Sequence, residues 1–187
     1  MAIKVIIFDL WNTLGKKEGS LSKGLSEHFQ IARTADFMER CERAIQLKQW
    51  RTKQDLSKGF LQAFDLPVTE ENIRWIGETQ EHTVNHATLF TWVPELLTQL
   101  HKHYKLALLS NTTIFESQII KRWSIDRFFD FAGFPYETGF IKPDRGSFAA
   151  VMKALRTKPE HGVFIDDTEK NCSAARAYGM ATIQFKN

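Results

Sequence analysis

Cysteine is scarce in this chain: Cys41 and Cys172 are its two cysteines. They lie far apart and match no metal-ligand spacing, so a reduced, cytoplasmic setting is the simplest expectation. Long apolar runs are also missing. No stretch approaches the roughly 20 residues that a membrane span needs, so no membrane partner is expected. The opening residues Met1-Ala2-Ile3-Lys4 bring no charged leader, and the apolar stretch behind them runs into Asp9, which does not read as a secretory signal. Neither sign of charge dominates. The formal net charge is +3 and no block of like charge occurs, which removes the electrostatic case for a nucleic-acid partner. There is no internal repeat and no low-complexity segment. What is present is an ordinary globular composition, 43% hydrophobic, in 187 residues. That length suits one domain with an insert, or two small domains.

Five short apolar segments rich in β-branched and aromatic residues read as strands: 3–9, 105–110, 130–134, 161–166 and 181–185. Helical patterns separate the later ones. Phe148, Val151, Met152 and Leu155 repeat at helical spacing, Pro94 fits a helix start, and Gly179 fits a C-terminal cap. Alternating strands and helices predict an α/β fold with a doubly wound parallel sheet. Residues 16–90 differ. They show helical periodicity throughout and no convincing strand. Phe37, Cys41, Ala44 and Ile45 form one stripe; Leu56, Phe60, Leu61 and Phe64 form another. Thr69 before Glu70 and Glu71 reads as a helix start. The expected organisation is a core of residues 1–15 and 91–187, with an all-helical cap of residues 16–90 inserted after the first strand.

In a doubly wound sheet, ligands bind beyond the carboxyl ends of the strands. Asp9, Ser110 and the pair Asp166-Asp167 fall there. A carboxylate at the end of a buried strand needs partners. Asp9 could simply cap its turn, and the acidic pair could cap the helix over 169–178. Together, however, three acids at one sheet edge repel one another unless a cation lies between them. Hard oxygen ligands beside a phosphate fit Mg²⁺. Ser110-Asn111-Thr112 follows a strand and precedes an expected helix, so it offers a hydroxyl and helix-start N–H groups to an anion, although Ser and Asn are also common caps. Lys142, ahead of Pro143 and Asp144, could offset the charge of a nucleophile and its transferring oxygens. As a lone lysine it would be a solvated surface residue.

Four segments in order resemble the motifs of the haloacid dehalogenase superfamily of hydrolases. They are Asp9-Leu10-Trp11-Asn12-Thr13, Ser110-Asn111, Lys142-Pro143-Asp144 and Asp166-Asp167-Thr168-Glu169-Lys170-Asn171. The run Glu137 to Lys142 and the tail Ala174 to Met180 are similar as well. The resemblance implies a catalytic set of Asp9, Thr13, Ser110 and Lys142. Asp9 would attack phosphorus to give an aspartyl-phosphate. Thr13 would support the first loop. Ser110, Asn111, Lys142 and Trp11 would border the substrate. Asp9 and Asp167 would ligate Mg²⁺ directly with the Trp11 carbonyl, while Asp166 would act through a metal-bound water and Asn171 would hold it in place. The implied partner is a small phosphorylated metabolite; the sequence specifies no oligomeric state.

Position 11 departs from that pattern. Family phosphatases carry an Asp two residues after the nucleophile, which protonates the leaving group; Trp11 cannot. Such help is worth about 10²- to 10⁴-fold in rate. Alkyl phosphates should therefore be poor substrates, and acyl or aryl phosphates better ones. Two alternatives follow. In 2-haloacid dehalogenases this position is aromatic, but no metal is needed and the late acidic pair is altered. A non-catalytic binding protein would keep the metal pocket without turnover. Elsewhere, His82 and His86, and His101 and His103, read as exposed polar residues. Lys48, Trp50, Arg51 and Lys53 read either as a substrate clamp or as the ends of one amphipathic helix.

Overall fold

The computed structural model describes residues 2–186. In chain order the elements are β1 (Val5–Phe8), β2 (Gly15–Lys16), α1 (Leu21–His28), α2 (Ala35–Gln46), α3 (Lys53–Ala63), α4 (Glu70–Asn85), β3 (Thr88–Leu89) and α5 (Val93–Leu100). They continue as β4 (Lys105–Leu109), α6 (Ile119–Arg122), β5 (Phe131–Gly133), α7 (Pro135–Thr138), α8 (Arg145–Ala154), β6 (Gly162–Asp166), α9 (Glu169–Tyr178) and β7 (Ala181–Gln184).

Five strands form one parallel sheet in the order β5-β4-β1-β6-β7. Strand periodicity explains its burial on both sides. Val5 and Ile7 of β1, with Ala107 and Leu109 of β4, face an apolar layer containing Phe148, Val151, Met152, Phe164 and Ala175. Ile6 and Phe8, with Leu106 and Leu108, face the opposite layer, which contains Val93, Leu97, Ile119 and Ile120. A continuous apolar run is what a strand covered on both faces requires. Each fully buried large side chain here, such as Phe8 or Phe164, contributes roughly 2–3 kcal/mol by leaving water. The sheet is doubly wound: after β1 the chain adds β4 and β5 on one side, then β6 and β7 on the other. The reversal lies at the carboxyl end of β1, where Asp9 follows.

Helices α1–α4 pack around their own apolar centre of Leu25, Phe37, Cys41, Leu56, Phe60, Leu61 and Ile76. Each starts with a hydroxyl residue, Ser20, Thr34, Thr52 or Thr69, whose side chain accepts a backbone N–H of the first turn. Such caps are worth about 1 kcal/mol apiece. The segment leaves and rejoins the core side by side through an antiparallel pairing of β2 with β3. Gly15 permits this crossing, because a β-carbon there would lie 2.7 Å from the Thr88 carbonyl and 2.6 Å from the Trp123 ring.

This pairing corrects the expectation of no strand within 16–90. Two residues per strand are too few to show an alternating pattern. A second correction concerns Lys48, Trp50 and Arg51. They lie in the link between α2 and α3, not at the ends of one helix. The Trp50 indole N–H donates to the Ile45 carbonyl at 2.8 Å, and Thr52 with Asp55 forms a reciprocal cap that begins α3 afresh. Lys53 pairs with Glu81. Asp144 sits at the start of α8, but its carboxylate meets Arg43 of α2 at 3.2 Å instead of capping the helix. No helix among the described residues is long and apolar enough to cross a membrane.

Candidate active site

Strand pairing brings the distant acids together. Asp9 immediately follows β1, and its backbone N–H donates to the Ile165 carbonyl of β6 at 2.9 Å. Asp166 ends β6 and Asp167 follows it. The carboxylates of Asp9, Asp166 and Asp167 each bring an oxygen within 4.8 Å of the others. Lys142, from the loop between α7 and α8, reaches in from the side. Its Nζ lies 2.5 Å from Asp9 Oδ1 and 2.7 Å from Asp166 Oδ2. All three of these side chains are buried.

Burial pushes the Asp9 carboxyl up to about 7. The Lys142 ammonium pulls it back down, and the Asp166 charge adds to the rise. Burial alone would lower Lys142, but the two carboxylates beside it outweigh that and hold it above its usual range. Asp166 is held on every side. Its Oδ1 accepts the Thr168 N–H at 2.8 Å and the Asn171 amide at 3.1 Å, and its Oδ2 accepts Lys142 and Asn171. Asp167 is half-buried. Its Oδ2 accepts the Asn12 side-chain amide at 3.3 Å. Asn12 stands at a positive φ of 61° that few side chains tolerate, which suits this position to Asn. Hard oxygens from Asp9 and Asp167, with Asp166 saturated behind them, form a donor set suited to Mg²⁺.

Ser110 follows β4 directly, anchored by its N–H to the Gly133 carbonyl. Its Oγ is buried without a protein partner, as is Thr13 Oγ1. A buried hydroxyl left without a protein partner calls for one from outside the chain, and an anionic oxygen would satisfy it. The helix expected after Thr112 begins later. Thr113 and Glu116 cap each other reciprocally and start a 3₁₀ turn at Glu116. Asn111 ties its loop to that of Lys142: its Oδ1 accepts the Lys142 N–H at 2.8 Å, and its amide donates to the Lys142 carbonyl at 2.9 Å.

Trp11 packs edge-on against Trp123, with ring centroids 5.9 Å apart, and is 8% exposed. Its indole N–H donates to Thr112 Oγ1 at 3.2 Å, and that hydroxyl donates to Glu116 Oε2. Lys17 lies over the Trp11 ring and pairs with Glu116 Oε1 at 2.9 Å. Burial would raise Glu116, but the Lys17 charge and these hydrogen bonds outweigh it and hold the carboxyl below its ordinary range.

A cavity of about 250 Å³ opens over this cluster. Its floor is Asp9, Lys142, Asp166 and Asp167, and its roof comes from α2: Met38, Cys41, Glu42, Ile45 and Gln46. Glu42 and Gln46 carry no motif that singles them out; their one signal is position on the flank of the apolar stripe of α2. His82 and His86 stack on one another on the exposed face of α4, away from this cavity. Cys41 and Cys172 are buried free thiols.

Comparison with known proteins agrees with this fold. A HAD family enzyme from Bacteroides thetaiotaomicron, solved with magnesium and inorganic phosphate, superposes with a TM-score of 0.70 at 20% identity, covering 99% of this chain and 95% of the other. An L-2-haloacid dehalogenase from Xanthobacter autotrophicus superposes with a TM-score of 0.64 at 20% identity, covering 96% and 76%. At such identities these likenesses speak to the fold. Bifunctional epoxide hydrolase 2 of Rattus norvegicus is 37% identical over 63 residues, 34% of this chain, and the match spans 11% of that protein's length. The sequence family described as haloacid dehalogenase-like hydrolases matches residues 3–179, nearly the whole chain, and the chain belongs to that family.

Proposed function

We propose that this protein is a Mg²⁺-dependent phosphohydrolase that acts on a small phosphorylated metabolite through Asp9. The observation that carries this reading is the convergence of Asp9, Asp166 and Asp167 beneath one cavity, with Lys142 paired to the first two. Asp9 is the nucleophile: a carboxylate oxygen bonds to phosphorus as the ester P–O bond breaks, and water then attacks the aspartyl-phosphate to release phosphate and restore the carboxylate. When bound by Asp9, Asp167 and the Trp11 carbonyl, with Asp166 behind, Mg²⁺ would offset the charge shared by the nucleophile and the phosphoryl oxygens. Ser110 Oγ and Lys142 hold those oxygens. Asn171 keeps Asp166 fixed, and Thr13 steadies the turn after Asp9. Helices α1–α4 act as a cap over residues 1–15 and 91–187, sheltering the reaction from water. The Bacteroides neighbour, bound to magnesium and phosphate, supports the choice of ion and substrate. Purified protein is expected to release phosphate from an aryl phosphate only with Mg²⁺, and Asp9→Asn to abolish that release. Unchanged release by Asp9→Asn would end the proposal.

A second reading draws on the aromatic Trp11. It makes the chain a 2-haloacid dehalogenase, whose leaving halide needs no proton. Retention of both Asp166 and Asp167 argues against it, and metal-free halide release from a 2-haloacid would decide in its favour. Mg²⁺ binding with no turnover in either assay would leave a binding protein.

A further inference from the structure

Trp11 leaves the reaction without a proton donor at its usual position, and the cavity offers a replacement. We propose that Glu42, reaching down from α2, protonates the leaving oxygen and later activates the hydrolytic water; this assignment rests on the phosphohydrolase reading. In-line displacement sets the leaving oxygen on the side of phosphorus opposite Asp9. That side is the cavity roof built by α2, and Glu42 and Asp9 border the same cavity. Four other carboxylates line it. Asp9 is the nucleophile, and Asp166 and Asp167 belong to the metal set. Glu116 is committed to Lys17, Thr112 and the Thr113 N–H, which keep it ionised. Glu42 alone is lightly held. Its one hydrogen bond among the described residues is a long contact of 3.4 Å from the Asn111 amide. Through Asn111, it is tied to the loop that carries Lys142. Burial raises its carboxyl above the ordinary range; Asn111, Lys142, Lys170 and Lys17 pull the other way without reversing the shift. Neighbouring Arg43 turns away to Glu39 and Asp144 and does not neutralise it. One turn further along α2, Gln46 Oε1 is buried without a partner beside the same space, so the roof offers acceptors to a leaving group that carries a hydroxyl.

The proton balance closes. In the first step, the Glu42 O–H proton passes to the ester oxygen as the P–O bond breaks, giving an alcohol, a Glu42 carboxylate and the aspartyl-phosphate. In the second, that carboxylate takes a proton from water as the water oxygen bonds to phosphorus and the Asp9 O–P bond breaks, which returns Glu42 to the acid, restores the Asp9 carboxylate and releases phosphate.

The test compares wild type with Glu42→Gln, both with Mg²⁺, on two probes: a simple alkyl phosphate and an aryl phosphate with an acidic phenol leaving group. Glu42→Gln is expected to lower kcat on the alkyl ester by about 10²-fold or more. Its loss on the aryl ester should be far smaller, because a phenolate leaves without a proton. Aryl turnover also reports that the variant is folded. Equal losses on both probes would overturn the role of Glu42 and leave the phosphohydrolase reading intact. Wild-type turnover of the aryl ester without turnover of the alkyl ester would also overturn the role of Glu42, since an acid in place should serve the alkoxide; failure of the wild type on both probes would overturn the phosphohydrolase reading, and this assignment with it.

Discussion

Lys142→Met isolates the electrostatics of the site. The substitution keeps the length and apolar stem of the side chain and removes its charge. The ammonium it deletes lies 2.5 Å from Asp9 and 2.7 Å from Asp166, with all three side chains nearly sealed from water. Asp166 keeps the Thr168 N–H and Asn171, so the loss falls on Asp9. Removing one member of a buried ion pair costs about 3–5 kcal/mol. For a chain of this length each kcal/mol moves Tm by about 2–4 °C, so the expected drop is roughly 6–20 °C near pH 8. The pH dependence has a definite sign. Asp9 titrates near 7 in the folded protein, above its ordinary value, so the folded state binds that proton more tightly than the unfolded chain does. Its stabilising contribution is fully present below the ordinary carboxylate range and is lost as pH rises through about 7. Lys142 limits that loss by drawing Asp9 downward. Without it, the loss deepens on the alkaline side, while at about pH 5 a protonated Asp9 needs no cation. Melting curves of both proteins at about pH 5 and about pH 8, without metal, measure the difference. A deficit equal at the two pH values, or absent at both, would refute this account.

Mg²⁺ binding must displace a proton from Asp9 below about pH 7, so affinity should tighten by up to about tenfold per pH unit there and level off above it. Titration calorimetry in buffers of different ionisation heat reads the released proton directly, and a pH-independent affinity would count against Asp9 as a ligand. Ser110→Ala should leave Tm within about 1–2 °C of wild type, because the hydroxyl has no protein partner to lose. The same variant should lower kcat/KM on an aryl phosphate by roughly 10- to 100-fold, as a lost charged hydrogen bond does. Trp11→Phe should cost about 1 kcal/mol through the lost bond to Thr112. Trp11→Asp should cost about 3–5 kcal/mol, because a large ring packed on Trp123 is replaced by a charge; a Tm unchanged from wild type would show that the ring does not pack as described.

The core was legible because its signals are local and mutually consistent. Val5 to Phe8 and Leu106 to Leu109 are apolar at every position, which only a strand covered on both faces requires. Gly179 and Thr69 announce their helix ends through chemistry that reads within a few residues: Gly179 takes a φ of 103°, and Thr69 accepts the Asn72 N–H. Asp9, Ser110, Lys142 and Asp166 each follow or end a strand or flank a rigid turn. Once the strands are ordered, their meeting is a matter of topology. Boundaries were less legible. Trp50 and Arg51 read as a continuing helix because nothing in their polarity says otherwise, yet a Thr-x-x-Asp cap at Thr52 and Asp55 was present in the sequence as the stop signal.

The roof of the cavity was illegible for a deeper reason. The stripe of Phe37, Cys41 and Ile45 identifies which side of α2 faces its fellow helices, because periodicity reports burial against the nearest apolar mass. It says nothing about which flank faces the sheet. Glu42 lies beside that stripe, and its partner Asn111 is 69 positions away; Lys17 and Glu116 are 99 apart. No hydrophobic pattern couples such pairs, because what they share is a small polar cavity whose walls come from two separately packed bodies. The substitution of Trp11 gains its meaning only there. In sequence it is the loss of an acid. In the structure the ring fills core volume, and its N–H joins the Thr112–Glu116 network that holds one glutamate below its ordinary range, while Glu42, lining the same cavity, is raised by burial. A motif therefore reports the chemistry a strand end can supply, whereas the residues of the roof become visible only in the folded structure.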